Sequence, residues 1–374
     1  MVKRIEPGQT IGIIGGGQLG RMMAIAAKQM GYKVAVMDPT PHSPTGQLAD
    51  IEITAPYDDN QAAQTLLDES DVITYEFESI DLGVCEYLVE NGYVPQGSEL
   101  IKISQDRAFE KEAITKSGAK VVPYELISSK DELKKAVSKL GFPCVLKTRR
   151  GGYDGKGQHI LKHDEDITDA VHLLDKGPCI LEQFLKFEKE ISVMVIRSVT
   201  GEVKSFPVSE NIHVEHILLQ SIVPARIVPD LAEKAKQAAE KLAESMDMIG
   251  TLGVEMFLTH DGEIYINEVA PRPHNSGHYT LDACATSQFE QHIRAITGMA
   301  LGDPKLNQPV VMMNVLGEHL PMVLERIPKV SNAKLHLYGK ADAKPKRKMG
   351  HVNFIGEHTK GILQQIRDLE IWRQ

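Results

Sequence analysis

The sequence predicts a mixed protein: an α/β N-terminal part on a doubly wound parallel sheet, then α+β parts on antiparallel sheet. Three observations carry this reading. Strand and helix patterns alternate through roughly the first hundred residues, as βαβ units require. Farther on, apolar runs are joined by Thr200-Gly201 and Asp261-Gly262, short turns that close hairpins. The chain of 374 residues is long enough for two or three domains with a sizeable core.

The elements follow in order. Thr10–Ile14 is a short apolar strand that runs into GGGQLGRMM, a glycine-rich turn opening a helix. Lys33–Met37 is the next strand and ends at Asp38, and Pro39, Pro41 and Pro44 make a loop. Asn60–Asp68 reads as a helix, Val72–Phe77 as a strand, Val84–Glu90 as a helix and Val94–Pro95 as a strand start. A helix follows at Asp106–Ser117. Another spans Lys130–Leu140, capped by Ser128 or Ser129 and stopped by Gly141. The strand Cys144–Lys147 leads to a second glycine-rich loop, RRGGYDGKGQHIL, which enters a further strand. Asp164–Leu174 is a helix and Cys179–Phe184 begins a strand. Ile191–Arg197 and Val203–Val208 read as antiparallel neighbours. Leu231–Met246 is amphipathic, with Leu231, Ala235, Ala238, Ala239 and Leu242 on one stripe. A hairpin of Gly253–Thr259 and Glu263–Val269 comes next, then a helix at Ser287–Thr297. From Val310 short strands mix with a basic loop. Boundaries fall near residues 100, 120 and 185. They give a Rossmann-like segment 1–100, a helical linker 101–120, a small segment 121–185, and a large one, 186–374, whose basic tail starts at about 300.

Composition excludes several classes. With 42% hydrophobic and 25% charged residues the chain is ordinary for a soluble protein. A formal net charge of −9 argues against a general nucleic-acid binder but permits a small anionic ligand in a local basic pocket. Cys85, Cys144, Cys179 and Cys284 show no metal-ligand spacing and read as free thiols, mostly buried, in a reducing cytosol. There is no signal-peptide core at the N-terminus and no apolar run near the ~20 residues that span a membrane. A cytoplasmic protein without membrane or nucleic-acid partners is expected.

Chemistry concentrates in a few places. With Asp261 and Gly262 as the two loop residues of the late hairpin, Glu255 lies directly opposite Glu268, with Cβ atoms about 5 Å apart. Such like charges repel, and burial makes that worse. A hard divalent cation resolves the conflict, and Mg²⁺, or Mn²⁺ in its place, suits oxygen ligands. Asn267 adds an amide oxygen. A turn shifted by one residue would set Glu255 opposite Asn267 instead, and a solvated acidic hairpin would show the same residues. The first glycine cluster, Gly15-Gly16-Gly17-Gln18-Leu19-Gly20, fits G-x-G-x-x-G, and Asp38 stands near where a ribose-binding acid would fall. It can hold a dinucleotide or be a tight turn without ligand. Lys147, at a strand end before the flap Gly151–Gly157, suits nucleotide phosphates, with a fixed charge followed by backbone donors. Glu182-Gln183-Phe184-Leu185 offers a strand end to an adenine edge, and Glu190 can accept from ribose hydroxyls. Lys340, Lys344, Lys346, Arg347 and Lys348 lie within nine residues and offer phosphate donors, although a solvated basic loop would read the same.

The ordered set of Lys147, flap, Glu182–Leu185, Glu190, Glu255 and Asn267-Glu268 resembles the ATP-grasp superfamily over most of the chain. Within it the chain is most similar to the 5-(carboxyamino)imidazole ribonucleotide synthase family. GIIGGGQLGRMM at Gly12–Met23, VITYEFE at Val72–Glu78, GGYDGKGQ at Gly151–Gln158, NEVAPRPHNSGHYT at Asn267–Thr280 and the tail from Tyr338 to Phe354 carry that likeness. It implies an ATP-grasp fold with a pre-ATP-grasp parallel-sheet domain, a small lid and a C-terminal α+β domain. It implies carboxylation of 5-aminoimidazole ribonucleotide by ATP and bicarbonate through carboxyphosphate, in purine biosynthesis. Arg107, Gly152, Tyr153, Asp154, Gly155, Lys156, Gly157, Gln158 and His213 join the ATP set. Gly16, Gln18, Leu19, Tyr153, Asp154, Arg272, His274 and Asn275 would line the ribonucleotide pocket. Lys340 and Arg347 would grip its phosphate. Lys147, Asp154, Arg272 and His274 would serve the chemistry. A homodimer and a transient contact with the following mutase are implied as well, whereas Glu76 has no assigned role. The competing readings are another ATP-grasp carboxylate–amine ligase of purine synthesis and an NAD-dependent dehydrogenase resting on Gly15–Gly20 and Asp38.

Overall fold

A computed structural model of the chain describes residues 3–152 and 157–372. Tyr153, Asp154, Gly155 and Lys156, expected above at the nucleotide and substrate sites, lie outside the described residues.

The N-terminal sheet has four parallel strands in the order β3-β2-β1-β4: β1 (Thr10–Ile14), β2 (Lys33–Asp38), β3 (Ile51–Thr54) and β4 (Val72–Tyr75). Helices α1 (Gln18–Gln29), α2 (Asn60–Asp68) and α3 (Leu82–Asn91) connect them. Apart from their first residues β1 and β2 are buried throughout, and β4 entirely, as a sheet covered on both faces demands. The edge strand β3 was not expected, because IEIT is four residues long and only half-buried. The expected strand at Val94–Pro95 is instead a turn. Tyr93 O accepts one bond from Ile73 N, and Pro95 has no N–H with which to continue a ladder. Two helices, α4 (Glu99–Ser104) and α5 (Arg107–Lys116), lead out of this sheet.

The second sheet is antiparallel, in the order β5-β8-β6-β7, from β5 (Tyr124–Ile127), β6 (Cys144–Thr148), β7 (Gln158–Leu161) and β8 (Cys179–Gln183). It packs on α6 (Lys130–Leu140) and α7 (Asp166–Ala170) through Ile127, Leu133, Val137, Leu146, Leu161 and Leu181. Ser129 caps α6, and Gly141 ends it at φ 76°, the left-handed stop that suits glycine. The expected helix 164–174 is split, with a 3-10 turn at Val171–Lys176 after α7. Period-two alternation along β6 buries Cys144, Leu146 and Thr148 against the helices, so Val145 and Lys147 face the other way.

The third sheet has nine strands: β9 (Lys189–Arg197), β10 (Val203–Ser205), β11 (Ser209–Val214), β12 (Ile217–Val223), β13 (Gly250–Leu258), β14 (Ile264–Ala270), β15 (Val310–Leu316), β16 (Ala333–Leu337) and β17 (Lys348–Ile355). Their order is β14-β13-β9-β11-β12-β15-β17-β16, with β10 added on β9. The strand expected over 203–208 stops at Ser205 and resumes as β11, since Pro207 cannot donate to a ladder. Helix α8 (Pro229–Ser245) buries Ala235, Ala239, Leu242 and Ala243 against Val193, Val195, Leu252 and Val254. After α9 (Thr280–Ala283), α10 (Gln288–Thr297) places Phe289, Ile293 and Ile296 in one cluster with Leu19, Met22, Met23 and Ala26 of α1. That cluster ties the parallel sheet to the large one. Helices α11 (Leu320–Arg326) and α12 (Thr359–Asp368) cover β15 and β17 through Val323, Ile362 and Ile366. Among the described residues no helix is long and apolar enough to cross a membrane.

Close approach, not propensity, decides one glycine. A methyl group on Gly20 of α1 would meet the Gly15 carbonyl oxygen at 2.7 Å and Thr45 Oγ1 at 2.5 Å. Gly20→Ala gains about 1 kcal/mol of helix propensity, yet the backbone contact cannot yield. A net loss of about 1–2 kcal/mol is expected, read as a lower urea midpoint at unchanged m-value. A midpoint at or above that of the parent would refute this.

Candidate active site

The three sheets face one cavity of about 690 Å³. Its acidic wall is the β13–β14 hairpin. The turn is one residue off the two-residue expectation: Leu258 pairs Ile264 and Met256 pairs Ile266, leaving His260–Gly262 in the loop with Gly262 at φ 79°. In that register Glu255 would face Asn267. A β-bulge intervenes between Glu255 and Met256, and Glu255 pairs Glu268 after all. The extra residue is Asn267. A bulge sets two residues against one, so Asn267 and Glu268 both line the cavity together with Glu255.

Charge is crowded there. Burial first, then Glu268, pushes the Glu255 carboxyl up to about 7. Glu110 of α5 accepts from Val269 N at 2.8 Å and is likewise pushed up to about 7 by burial and then Glu268. Arg107 brings positive charge to 3.7 Å from Glu268, and the His274 imidazole, held neutral first by burial and then by Arg272, lies 3.4 Å from Glu255. Among the described residues no three His, Cys, Asp or Glu side chains surround one point. The donor set therefore fits a cation that takes two carboxylates, the Asn267 amide oxygen and further oxygens from substrate phosphate and water, which is how Mg²⁺ is commonly held.

The opposite wall comes from the small sheet. Lys147 lies on β6 beside β8, where Val145 pairs Glu182, and its Nζ reaches Glu182 Oε2 at 2.5 Å. The other oxygen of Glu182 is 3.2 Å from Lys111 Nζ. Burial acts to raise Glu182, but Lys111 and Lys147 outweigh it and hold the carboxyl at about 2. Lys111, fully buried, also donates to the Asn267 carbonyl oxygen at 3.1 Å, which links the small sheet to the acidic hairpin. The flap is rooted by Asp106, the N-cap of α5, which accepts from Arg149 Nε and Nη2 at 2.8 Å each and from Arg150 Nε at 3.1 Å. Apolar side chains of Val122, Val145, Ile160 and Phe184 line the neighbouring wall, as do Phe187 and Phe257, stacked at 4.6 Å. Gln183 and Phe184 give their N–H groups to Pro123 and Pro143 carbonyls at 2.9 and 3.1 Å. Glu190 of β9 pairs with His213 of β11 at 2.8 Å. Burial alone would lower the imidazole, but Glu190 outweighs it and raises it.

The first glycine turn is already occupied. Gly17 N and Gly20 N donate to Glu76, the latter at 2.7 Å. Gly16 N donates to Asp38 at 2.7 Å, and Asp38 also accepts from Thr40 N and Tyr57 OH. The start of α1, where a pyrophosphate would sit, thus holds the chain's own carboxylate, and the acid expected on a ribose is tied into the turn. This corrects the dinucleotide reading. Two residues past Glu76, Glu78 forms a fork with Arg272, at 2.5 Å to Nε and 3.1 Å to Nη2.

Of the residues singled out from sequence, Gln18, Leu19, Arg107, Lys147, Gly152, Gln158, Glu182, Gln183, Phe184, Leu185, Glu190, His213, Glu255, Asn267, Glu268, Arg272, His274 and Asn275 line this one cavity. Gly16, Gly157, Lys340 and Arg347 do not. Gly16 is sealed beneath Asp38. Gly157 accepts from Thr148 N through its carbonyl. Lys340 is half-buried, donates to the Lys348 carbonyl oxygen at 2.8 Å, and is pushed down to about 8 by burial and then Arg347. Arg347 is exposed and donates to the Asp342 carbonyl oxygen. Lys346 pairs with Glu215 at 2.7 Å on the surface, as a solvated loop would. The sequence reading missed Glu78, Lys111 and Glu110, and of the basic cluster it named, Lys348 is the member that lines the cavity. One signal was available: Arg107 and Lys111 are four residues apart, on one face of a helix.

Comparisons with known proteins cover the whole chain. A model of the ribonucleotide synthetase preATP-grasp domain matches residues 8–105, one of the ATP-grasp domain 112–289, and one of the phosphoribosylaminoimidazole carboxylase C-terminal domain 310–365. The N5-carboxyaminoimidazole ribonucleotide synthase of Bacillus subtilis (strain 168) is 54% identical over 362 residues, 97% of this chain and 95% of the relative. A crystal structure of an N5-carboxyaminoimidazole ribonucleotide synthetase as its ADP complex aligns at TM-score 0.97 and 56% identity, over 100% of this chain and 99% of the other. The Aspergillus clavatus N5-carboxyaminoimidazole synthase, solved with ADP and 5-aminoimidazole ribonucleotide, aligns at TM-score 0.92 and 30% identity, over 97% and 98%.

The fork between Glu78 and Arg272 sets an energetic expectation. Glu78→Ala strands a guanidinium whose side chain is only 16% exposed. Breaking a fully buried pair costs about 3–5 kcal/mol, and the partial exposure of Glu78 reduces this to about 2–3 kcal/mol. Urea unfolding of the variant measures it, and a loss below about 0.5 kcal/mol would mean the pair is solvated in solution.

Proposed function

The chain belongs to the N5-carboxyaminoimidazole ribonucleotide synthase family, and on that premise we propose that it is an ATP-dependent carbon–nitrogen ligase. It carboxylates the exocyclic amine of 5-aminoimidazole ribonucleotide with bicarbonate and yields ADP and phosphate. The observation that carries the reading is the convergence of three sets on one cavity: the Glu255–Glu268 pair, the Lys147–Glu182 pair, and Arg272 with His274 and Asn275. A nucleotide polyphosphate suits the first two sets, and a small oxyanion beside an amine suits the third.

In this reading the adenine lies against the apolar wall by Phe184 and Phe187, and Leu185 supplies the backbone donor because Gln183 and Phe184 have spent theirs. Glu190, held by His213, accepts from the ribose. Glu255, Glu268 and the Asn267 amide hold Mg²⁺, or Mn²⁺ in its place, which when bound screens charge on the phosphate oxygens. Lys147 and Arg107 face the same phosphates. An oxygen of bicarbonate attacks the γ-phosphorus, the bond to the β-phosphate oxygen breaks, and ADP leaves. The protein positions and screens; little covalent work is asked of it. The carboxyphosphate so formed breaks to CO₂ and phosphate in the closed site, and the amine captures the CO₂. Arg272, oriented by Glu78, holds the oxyanion, and His274 orients the substrate. Asp154 would partner the amine, and Tyr153 would contact the ribonucleotide together with Gln18 and Leu19. Lys340 and Arg347 take the ribonucleotide phosphate. The flap, Gly151–Gly157, excludes water.

The domain assignment goes with this. Residues 1–100 form the pre-ATP-grasp domain, 101–120 a linker, 121–185 the lid and 186–374 the large domain with a tail from about 300. In support, the four parallel strands end at Tyr75, the lid strands run from Tyr124 to Gln183, and the large sheet begins at Lys189. The reading extends to a cytoplasmic homodimer in transient contact with a following mutase. Four free, buried cysteines accord with a reducing compartment.

The deciding assay is ADP release with bicarbonate, with and without 5-aminoimidazole ribonucleotide, and with formate or glycine in place of bicarbonate. Bicarbonate-dependent release that consumes the amine is expected; release with formate or glycine instead would assign a different ligase. Glu268→Gln should keep the fold by circular dichroism and lower kcat by about 10²–10³. Unchanged kcat would remove Glu268 from the metal set.

The raised Glu255 carboxyl adds a pH dependence. Its folded pKa, about 7, exceeds that of the unfolded carboxyl, so below about 7 a proton occupies the place the cation needs. Mg²⁺ affinity of the ADP-loaded protein should rise about tenfold per pH unit up to about 7 and then level off. The sign is opposite for the metal-free fold, which loses this contribution as pH rises through about 7. Calorimetric Mg²⁺ titrations from pH 5.5 to 8 test this, and a flat profile would contradict it.

A further inference from the structure

A file of buried polar side chains stands behind the acidic hairpin, and the reaction as derived leaves it without a task. Ser192 of β9, Ser209 and Asn211 of β11, Ser221 of β12 and Ser276 in the turn after β14 are each at most 4% exposed. Strand register assembles them: Ser209 pairs Ser192, Asn211 pairs Ser221, and Ser192 stands opposite Glu255 on β13. Small apolar residues would fill the middle of a sheet without needing partners. Polar groups there are costly unless each finds one, and local rules are broken chiefly at functional sites.

From Ser221 to Ser276 the bonds run in one direction, whereas between Ser192 Oγ and Ser209 Oγ, 2.7 Å apart, either atom can donate. Ser221 Oγ donates to Asn211 Oδ1 at 2.9 Å, Asn211 Nδ2 to Ser192 Oγ at 2.9 Å, and Ser192 Oγ to Ser276 Oγ at 2.7 Å. Ser276 Oγ lies 2.8 Å from Nδ1 of His274. The same Nδ1 receives the backbone N–H of Ser276 at 3.4 Å. A backbone N–H can only donate, so Nδ1 is an acceptor and carries no proton. The Ser276 hydroxyl must then donate to it as well, and having done so accepts from Ser192. The imidazole proton is left on Nε2, the atom 3.4 Å from Glu255.

We propose that Ser221, Asn211, Ser192 and Ser276 are positioning residues that fix His274 as its Nε2–H form, so that His274 meets the carboxylation site as a hydrogen-bond donor and never as a base. The function assigned to His274 rests on the ligase reading; the direction of the file does not. A donor at Nε2 can hold an oxyanion or Glu255, and it cannot accept the proton that the amine loses on carboxylation. That proton must go elsewhere, to departing phosphate or to another carboxylate.

Two-bond ¹H–¹⁵N spectra of the full chain labelled at histidine nitrogens read the tautomer directly, with His274→Asn supplying the assignment. The parent protein should show the His274 proton on Nε2. A proton on Nδ1 overturns the proposal whatever any variant does. Ser276→Ala removes the 2.8 Å hydroxyl bond and leaves on Nδ1 only the weaker 3.4 Å backbone N–H, so a shift toward a mixture of the two forms is expected, and an unshifted tautomer would overturn the role given to the file. Bicarbonate-dependent turnover should fall about tenfold, as for loss of an outer partner of a working imidazole, with KM for ATP unchanged. Ser276→Cys, close in shape with a weak donor, keeps the measurement available if the alanine variant does not fold, and should lie between. Unchanged turnover in a variant whose tautomer has shifted also overturns the proposal. Should the parent lack bicarbonate-dependent ADP release, the ligase reading fails, and the parent spectrum still decides the tautomer.

Discussion

Two carboxylates held side by side in one cavity set the terms for the rest of the molecule. Glu255 and Glu268 are cross-strand partners, so neither can turn away without breaking the ladder. Their repulsion is kept in place by a nine-stranded sheet whose core packs on α8. Arg107 sits close enough to Glu268 to moderate that repulsion and not close enough to cancel it. What remains is an excess of negative charge at one point of the cavity wall. The bulge at Asn267 is the local device that makes this geometry. It corrects the hairpin register and brings a residue that should point away into the lining of the cavity.

The small sheet answers with a charge arrangement of its own. Lys147 is buried and needs a counter-charge, and Glu182 provides it from the neighbouring strand. Glu182 in turn is shared with Lys111, which belongs to the helix between the sheets and reaches the hairpin backbone. A buried charge left alone would cost several kcal/mol; arranged in this chain, each group satisfies the next. The result is a mechanical link as much as an electrostatic one, since α5 roots the flap through Asp106, caps its own start, and touches both walls of the cavity.

Most of the architecture could be read from the chain because its signals are local. Alternating patterns gave the parallel sheet, a glycine stop gave the end of α6, and Asp-Gly gave the hairpin to within one residue. What escaped is non-local. Glu78 looks like any surface acid until Arg272, 194 residues on, is seen to lie in its fork. Lys111 reads as a solvated helix residue until two other elements close over it. The first glycine cluster is the instructive failure. Its spacing matches a phosphate turn, and the turn is built as such, yet spacing cannot report that Glu76 from another strand has filled it.

That filled turn has a further meaning for selectivity. A carboxylate delivered by the neighbouring strand competes for the N–H groups at the start of α1 as a tethered ligand, at an effective concentration on the order of millimolar or above. It is never diluted and never leaves. A nucleotide would have to displace it before using the N–H groups at the start of α1, whereas Gln18 and Leu19 beside that turn remain open to the cavity.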